Sequence, residues 1–238
     1  MVILKNLISN KQAWSGTADC LHCSLRGSAL FHGLTEEDFK QFHKPIDQLT
    51  LQAGQVLYNL GDVGSNLFTV RSGLLKLVQS LPDGTQRVVR LLHSTDVLGL
   101  ELLVGENYEH EVVALRPTEL CRYPVEAVDV LSQSNPVLHK DLMAQWKKAL
   151  NEADAWLTHL STGTAKKRMA NLLLRLVEGE NSVECYLFNR EDMGSILSLT
   201  TETASRTISE FEKSGLMEKL SHNHYKLDVS GLRAAIEG

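Results

Sequence analysis

The chain has 238 residues, 43% of them hydrophobic and 22% charged, with 16 Gly and 5 Pro. Such a composition excludes a disordered, low-complexity or collagen-like chain, and the length suggests about two domains. Lys and Arg number 24 against 29 Asp and Glu, a net charge of −5, which excludes a polycation that coats nucleic acid but permits a local basic face.

At the amino end a few apolar residues are followed at once by Lys5, Asn6 and Asn10, without the long apolar core and cleavage site of a signal peptide. No run reaches the roughly 18 to 20 apolar residues of a membrane span, since Gly99 and Glu101 interrupt the stretch from Val97 to Val104. A cytoplasmic location with no membrane partner is therefore expected. In a reducing compartment Cys20, Cys23, Cys121 and Cys185 are not expected to pair as structural disulfides. The pair Cys20-Leu-His-Cys23 then has a metal role, a redox role or none, and alone it is a weak signal.

From about residue 50 to 125, short β-branched and aromatic runs alternate with turns. The runs begin at Gly54, Leu67, Gly73, Arg87, Glu111 and Glu119. Their close spacing predicts a compact antiparallel barrel or jelly roll. Pro82-Asp-Gly84 is the strongest hairpin signal, because Pro presets one turn position and Gly accepts the positive φ that closes the turn.

Pro136 opens a long helical pattern over about 137–161. Met143, Trp146, Leu150, Ala153, Leu157 and Leu160 recur at alternating steps of three and four, the seam of a coiled coil. Such a helix is roughly 36 Å long, more than one small barrel covers, and a second copy of the chain is its natural partner; a lone helix lying across its own barrel is the alternative.

Beyond Thr162-Gly-Thr164 the texture changes to short amphipathic helices over 165–178, 190–197 and 201–214, then two extended runs over 216–229. This is the order of a winged helix-turn-helix. Thr201 is placed to cap the second helix of the motif and Gly215 to end it. Ala204, Ile208 and Phe211 supply its buried face, while Glu202, Ser205, Arg206 and Ser209 fall on the opposite face near its amino end. Arg bonds guanine O6 and N7 bidentately, Glu accepts from cytosine N4 and Ser is versatile. The bland alternative is an exposed Glu202–Arg206 helix pair. Thr201, Ser209 and Lys213 are candidate backbone contacts, as are Lys166, Lys167, Arg168 and Lys219. His222 and His224 in the wing are candidates for phosphate or metal, or form an unpaired turn.

The fold class is α+β, a double-stranded β-helix (jelly roll) followed by a long dimerisation helix and a winged helix-turn-helix. The expected organisation is a cysteine-containing leader (1–30), a β-roll sensor domain (31–130), a dimerisation helix (131–161) and a DNA-binding domain (162–238). In this order the parts resemble the CRP/FNR superfamily of bacterial transcription regulators over nearly the whole chain, and Glu202-x-x-Ser205-Arg206 resembles the FNR branch. The resemblance implies a cyclic-nucleotide-binding-like roll and a homodimer on double-stranded DNA. It further implies Glu202, Ser205 and Arg206 as readers of TTGAT-like inverted repeats, and RNA polymerase as partner of an activator.

The same resemblance implies an iron–sulfur cluster, four-iron four-sulfur in the FNR branch, on Cys20, Cys23 and Cys121. The fourth family position is Ala29, which cannot ligate iron. Asp19, His22, His32 or, remotely, Cys185 are the alternatives, as is a cluster-free regulator answering to oxygen or redox state through thiols, or to another small ligand. Haem on His93 or His110 has no spacing in its favour. Cyclic nucleotide is not expected: the segment Gly99-Leu-Glu-Leu and the following Glu109-His-Glu111 hold no arginine, and two carboxylates there repel a phosphate. A dimer switched by a ligand needs a marginal seam, such as one carrying a charge. Ala153 stands on the seam with Asp154 beside it, so the dimer is expected to be nearly constitutive. An enzyme is not expected. A cupin needs a His-x-His inside the barrel, and no Gly-x-Ser-x-Gly, phosphate loop or His-Glu-x-x-His occurs.

Overall fold

A computed structural model describes residues 14–17, 30, 46–177 and 183–237. The chain divides into two compact units, residues 1–79 with 90–151 and residues 80–89 with 152–238.

The first unit is built on nine strands: β1 (Trp14–Thr17), β2 (Asp47–Leu51), β3 (Val56–Tyr58), β4 (Asn66–Ser72), β5 (Leu75–Ser80), β6 (Gln86–Leu92), β7 (Val97–Leu98), β8 (Glu111–Ala114) and β9 (Thr118–Pro124). They form a five-stranded sheet in the order β1-β2-β9-β4-β7 and a four-stranded sheet in the order β3-β8-β5-β6. Strand alternation explains the core: Leu49, Leu51, Val70, Leu75, Leu77, Val112, Ala114 and Leu120 are all buried. The predicted β-roll is present, and Gly84, at φ +83°, closes the β5–β6 turn with its N–H on Leu81 O at 2.9 Å. β1, β2, the two-residue β7 and a 3₁₀ turn over Leu100–Leu103 lie outside the runs expected from the sequence.

Gly73 joins β4 to β5 at φ +95°, and a Cβ there would press on the Pro117 carbonyl and the Thr118 side chain. Gly73→Ala combines left-handed strain with this clash and should lower stability by about 2 kcal/mol or more; a chemical denaturation curve checks it.

Helices α1 (Val125–Ser134) and α2 (Pro136–His159) follow the roll. Asn135 starts α2, its Oδ1 accepting from Val137 N at 3.0 Å and Leu138 N at 3.1 Å. Leu138 and Leu142 turn inward into a cluster with Leu67, Val97, Leu100, Tyr123, Val128 and Leu131, and Leu30 is buried in the same cluster. The other side of α2 bears the apolar stripe: Met143 is 50% exposed, Trp146 37%, Leu150 63% and Leu157 62%. Ala153 is half-buried. Leu160 corrects the expected seam: it lies past the end of α2 and is fully buried within its own chain, so the exposed stripe ends at Leu157.

The second unit contains α3 (Ala165–Val177), β10 (Glu184–Tyr186), α4 (Arg190–Leu197), α5 (Thr201–Lys213), β11 (Met217–Ser221), β12 (His224–Leu227) and α6 (Val229–Glu237). Its core is Met169, Leu172, Leu173, Met193, Ile196, Leu197, Ile208, Phe211, Tyr225 and Leu232. The hairpin residues 80–89 group with it, where Ser195 Oγ donates to Gln86 O at 2.8 Å and accepts from Val88 N at 3.2 Å. β10 and α6 are additions to the predicted order. Among the described residues no helix is long and apolar enough to cross a membrane.

Candidate nucleic-acid interface

Two capped helices and a tight turn position the reading face. α4 begins at Asn189, whose Oδ1 accepts from Asp192 N at 2.7 Å, and ends at Ser198 with φ +55°. Gly194 lets the chain turn back on itself, since a Cβ there would stand 2.7 Å from Leu199 O. The cap of α5 is Thr200, its Oγ1 accepting from Thr203 N at 3.2 Å, and not Thr201 as expected. Neighbouring threonines are equivalent by propensity, and the turn geometry places the first of them at the boundary. Thr200→Ala should cost about 1 kcal/mol while Thr201→Ala costs less, a contrast that thermal melts of the two variants resolve.

Ala204, Thr207, Ile208 and Phe211 bury one face of α5. On the opposite face Thr201, Glu202, Arg206, Ser209 and Lys213 are exposed and Ser205 is half-buried. Among the described residues no ion pair joins Glu202 to Arg206, so the two side chains are not tied to each other.

The other expected phosphate contacts divide. Lys166 is paired with Glu210 at 3.0 Å. Arg168 directs Nη1 at Leu197 O (2.6 Å) and Ser198 O (3.3 Å), neutralising the carboxyl end of α4 and binding α3 to the turn; it is an internal fastener. Lys213 and Lys219 are exposed. In the wing, ordered β10-β12-β11, His224 Nε2 lies 3.0 Å from Glu184 Oε2 and its ring stacks on Tyr186 at 4.2 Å. His224 is thus committed within the sheet, whereas His222 is exposed.

In the roll, Cys121 lies on β9 opposite Gln48 and Thr69, half-buried, and packs on the cluster that holds Leu30. Cys20, Cys23, Asp19, His22, Ala29 and His32 lie outside the described residues. Among the described residues no group of three or more His, Cys, Asp or Glu is arranged to hold a metal. Cys185 is buried in β10 opposite Tyr225, a core position.

The segment from Gly99 to Glu111 carries a second polar cluster. Tyr58 and Tyr108 stack at 3.7 Å, Tyr108 Oη donates to Asn66 O at 2.8 Å, and Glu101 Oε1 accepts from Glu109 N at 3.4 Å. Burial pushes the Tyr108 hydroxyl up to about 12. Burial holds the His110 imidazole below its ordinary value, Glu101 and Glu109 opposing and Arg90 reinforcing the shift. A histidine kept neutral by folding contributes stability above its unfolded pKa that is lost as pH falls through about 6.5 and below. His110→Gln should flatten the acid side of a stability-versus-pH profile below about pH 6.5. Arg90 was not foreseen, because it reaches this cluster from β6 and not from the segment itself.

Residues 48–135 match the cyclic nucleotide-binding domain family and residues 167–235 the Crp-like helix-turn-helix domain family. The chain is 29% identical over 228 residues to the transcriptional activator protein FnrA of Stutzerimonas stutzeri, covering 93% of each. It is 27% identical over 224 residues to the fumarate and nitrate reduction regulatory protein of Escherichia coli, covering 91% of this chain and 90% of that one. Among solved structures, FixK2 from Bradyrhizobium japonicum superposes with a TM-score of 0.74 at 20% identity, covering 81% of this chain and 98% of that one. The regulator TTHB099 of Thermus thermophilus gives 0.70 at 20% identity over 79% and 96%; both share the fold.

Proposed function

Because the chain belongs to the CRP/FNR family of DNA-binding transcription regulators, which are not enzymes, we propose that it acts as a homodimeric activator reading TTGAT-like inverted repeats. The observation that carries this reading is the polarity of α5, buried on Ala204, Ile208 and Phe211 and open on Glu202 and Arg206. Glu202, Ser205 and Arg206 read base edges, Thr201, Ser209 and Lys213 position the helix on the backbone, and the stripe from Met143 to Leu157 covers that of a second copy. A two-fold dimer presents its recognition helices about 34 Å apart. Inserting about half a helical turn between the half-sites should therefore reduce affinity by a factor of about 1,000 or more, toward the non-specific level; equal binding to both spacings in a gel-shift titration would reject the dimeric reader. Activation through RNA polymerase follows the naming of the relatives as transcriptional activators.

A response to oxygen or redox state rests on Cys20, Cys23 and Cys121. These three, with Ala29 at the fourth position, do not furnish the all-cysteine ligand set of a four-iron, four-sulfur cluster, and no step is derived through one. Ala29 favours a second reading, a cluster-free regulator answering to thiol state or to another small ligand. Anaerobically purified protein should contain no stoichiometric iron or sulfide; about four irons per chain would restore the cluster. Cyclic nucleotide is not the effector in this reading, given Glu109 and Glu111.

A further inference from the structure

Arg90 shares a face of β6 with the buried Val88 and Leu92. Its Nε is buried and has no hydrogen-bond partner among the described residues. β6 and β3 are opposite edges of the four-stranded sheet, yet Arg90 lies within electrostatic reach of Tyr58 on β3 and of His110 just before β8. A half-buried guanidinium lacking an acceptor on its Nε is costly unless an anion supplies one. Glu101, from the 3₁₀ turn, accepts from Glu109 N next to His110 at 3.4 Å and lies within electrostatic reach of Tyr58, Tyr108 and His110. The cluster therefore presents a fixed cation, a carboxylate, a neutral imidazole with one donor and one acceptor, and a tyrosine hydroxyl.

We propose that Arg90, His110 and Glu101 form a binding site for a small carboxylic acid that carries a hydroxyl or amine group. Arg90 takes the carboxylate through its planar fork, and Glu101 accepts from the hydroxyl or amine. His110 bridges the two, and the stacked Tyr58–Tyr108 pair forms a wall. A phosphate dianion is disfavoured: Glu101 and Glu109 reach the same His110 as Arg90, and Arg122, the other cation within reach of Tyr108, is already paired with Asp47 at 2.7 Å. The proposal deepens the reading of the roll as a small-ligand sensor and rests on it for any effect on transcription, but binding itself is measured without DNA.

The test uses three acids of nearly the same shape, propionate, L-lactate and L-alanine, titrated at matched ionic strength into the full chain and followed by thermal stability. L-Lactate or L-alanine should raise Tm saturably with propionate much weaker, Arg90→Met should weaken that response about tenfold or more, and Glu101→Gln should narrow the preference over propionate. Arg90→Met should also melt higher than the wild type without added acid, since it removes an unsatisfied buried group; Arg90→Lys, which keeps the charge without the fork, stands in if the Met variant does not fold. No saturable response to any of the three acids, or a response unchanged in Arg90→Met, overturns the site. Either outcome leaves the inverted-repeat spacing experiment untouched, so failure here is separable from failure of the DNA-binding reading.

Discussion

Dimerisation should collapse when Leu150 is replaced by Asp. Leu150 is 63% exposed at the middle of the stripe on α2, between Trp146 and Leu157. Covering it in a parallel pair of helices contributes about 2 kcal/mol per side chain. An Asp there removes that term and sets two carboxylates against each other in an apolar seam, a further penalty of several kcal/mol. Together these should raise the dimer dissociation constant by a factor of about 1,000 or more. Sedimentation at micromolar concentration is the measurement: the wild type should run as a dimer with either redox state, and Leu150→Asp as a monomer of normal helix content. A dominant wild-type monomer would remove both the stripe's role and the constitutive dimer inferred from Ala153.

The second large effect concerns specificity. Arg206 is exposed on α5 and bound to no carboxylate of its own helix, so its guanidinium is available for a bidentate contact with guanine. Arg206→Ala should lose about 1 to 3 kcal/mol of discrimination at one G·C pair of each half-site, leaving affinity for sites already altered at that pair nearly unchanged. Lys213→Ala, on the last turn of the same helix, should weaken every sequence alike and lower the salt slope by about one. A panel of single-base variants titrated at two salt concentrations separates the two behaviours. Uniform weakening by Arg206→Ala would make it a phosphate contact.

What the sequence made legible follows from how strongly each element is overdetermined. The α4–turn–α5 motif combines caps, a tight-turn glycine and two apolar faces at helical spacing, and it emerges where expected. β7 has two residues and β10 three, too few for alternation to register. α6 carries Gly231 in its first turn, which masks the helix, while Asp228 Oδ1 accepts from Gly231 N at 3.0 Å and secures its start. Leu160 continues the three-and-four spacing on paper, but α2 ends at His159, and beyond a helix end periodicity no longer fixes direction. The Arg90 cluster was illegible for a different cause. Its members come from β3, β6, the 3₁₀ turn and the start of β8, and only the roll brings them together. Arg168 shows the converse case, in which a basic residue near a DNA-reading motif is an internal partner of the α4 carbonyls, while Lys166 shares only an exposed surface pair with Glu210.

Arg168 has one more implication. By anchoring the end of α4 to α3 it holds in the free protein the turn that leads into the reading helix α5, so that turn does not have to order itself on encounter. A disordered reader loses several kcal/mol to that ordering and shows a heat-capacity change larger than its interface explains. This module should associate with a heat-capacity change set by the contact area alone, and Arg168→Ala should enlarge it while slowing association.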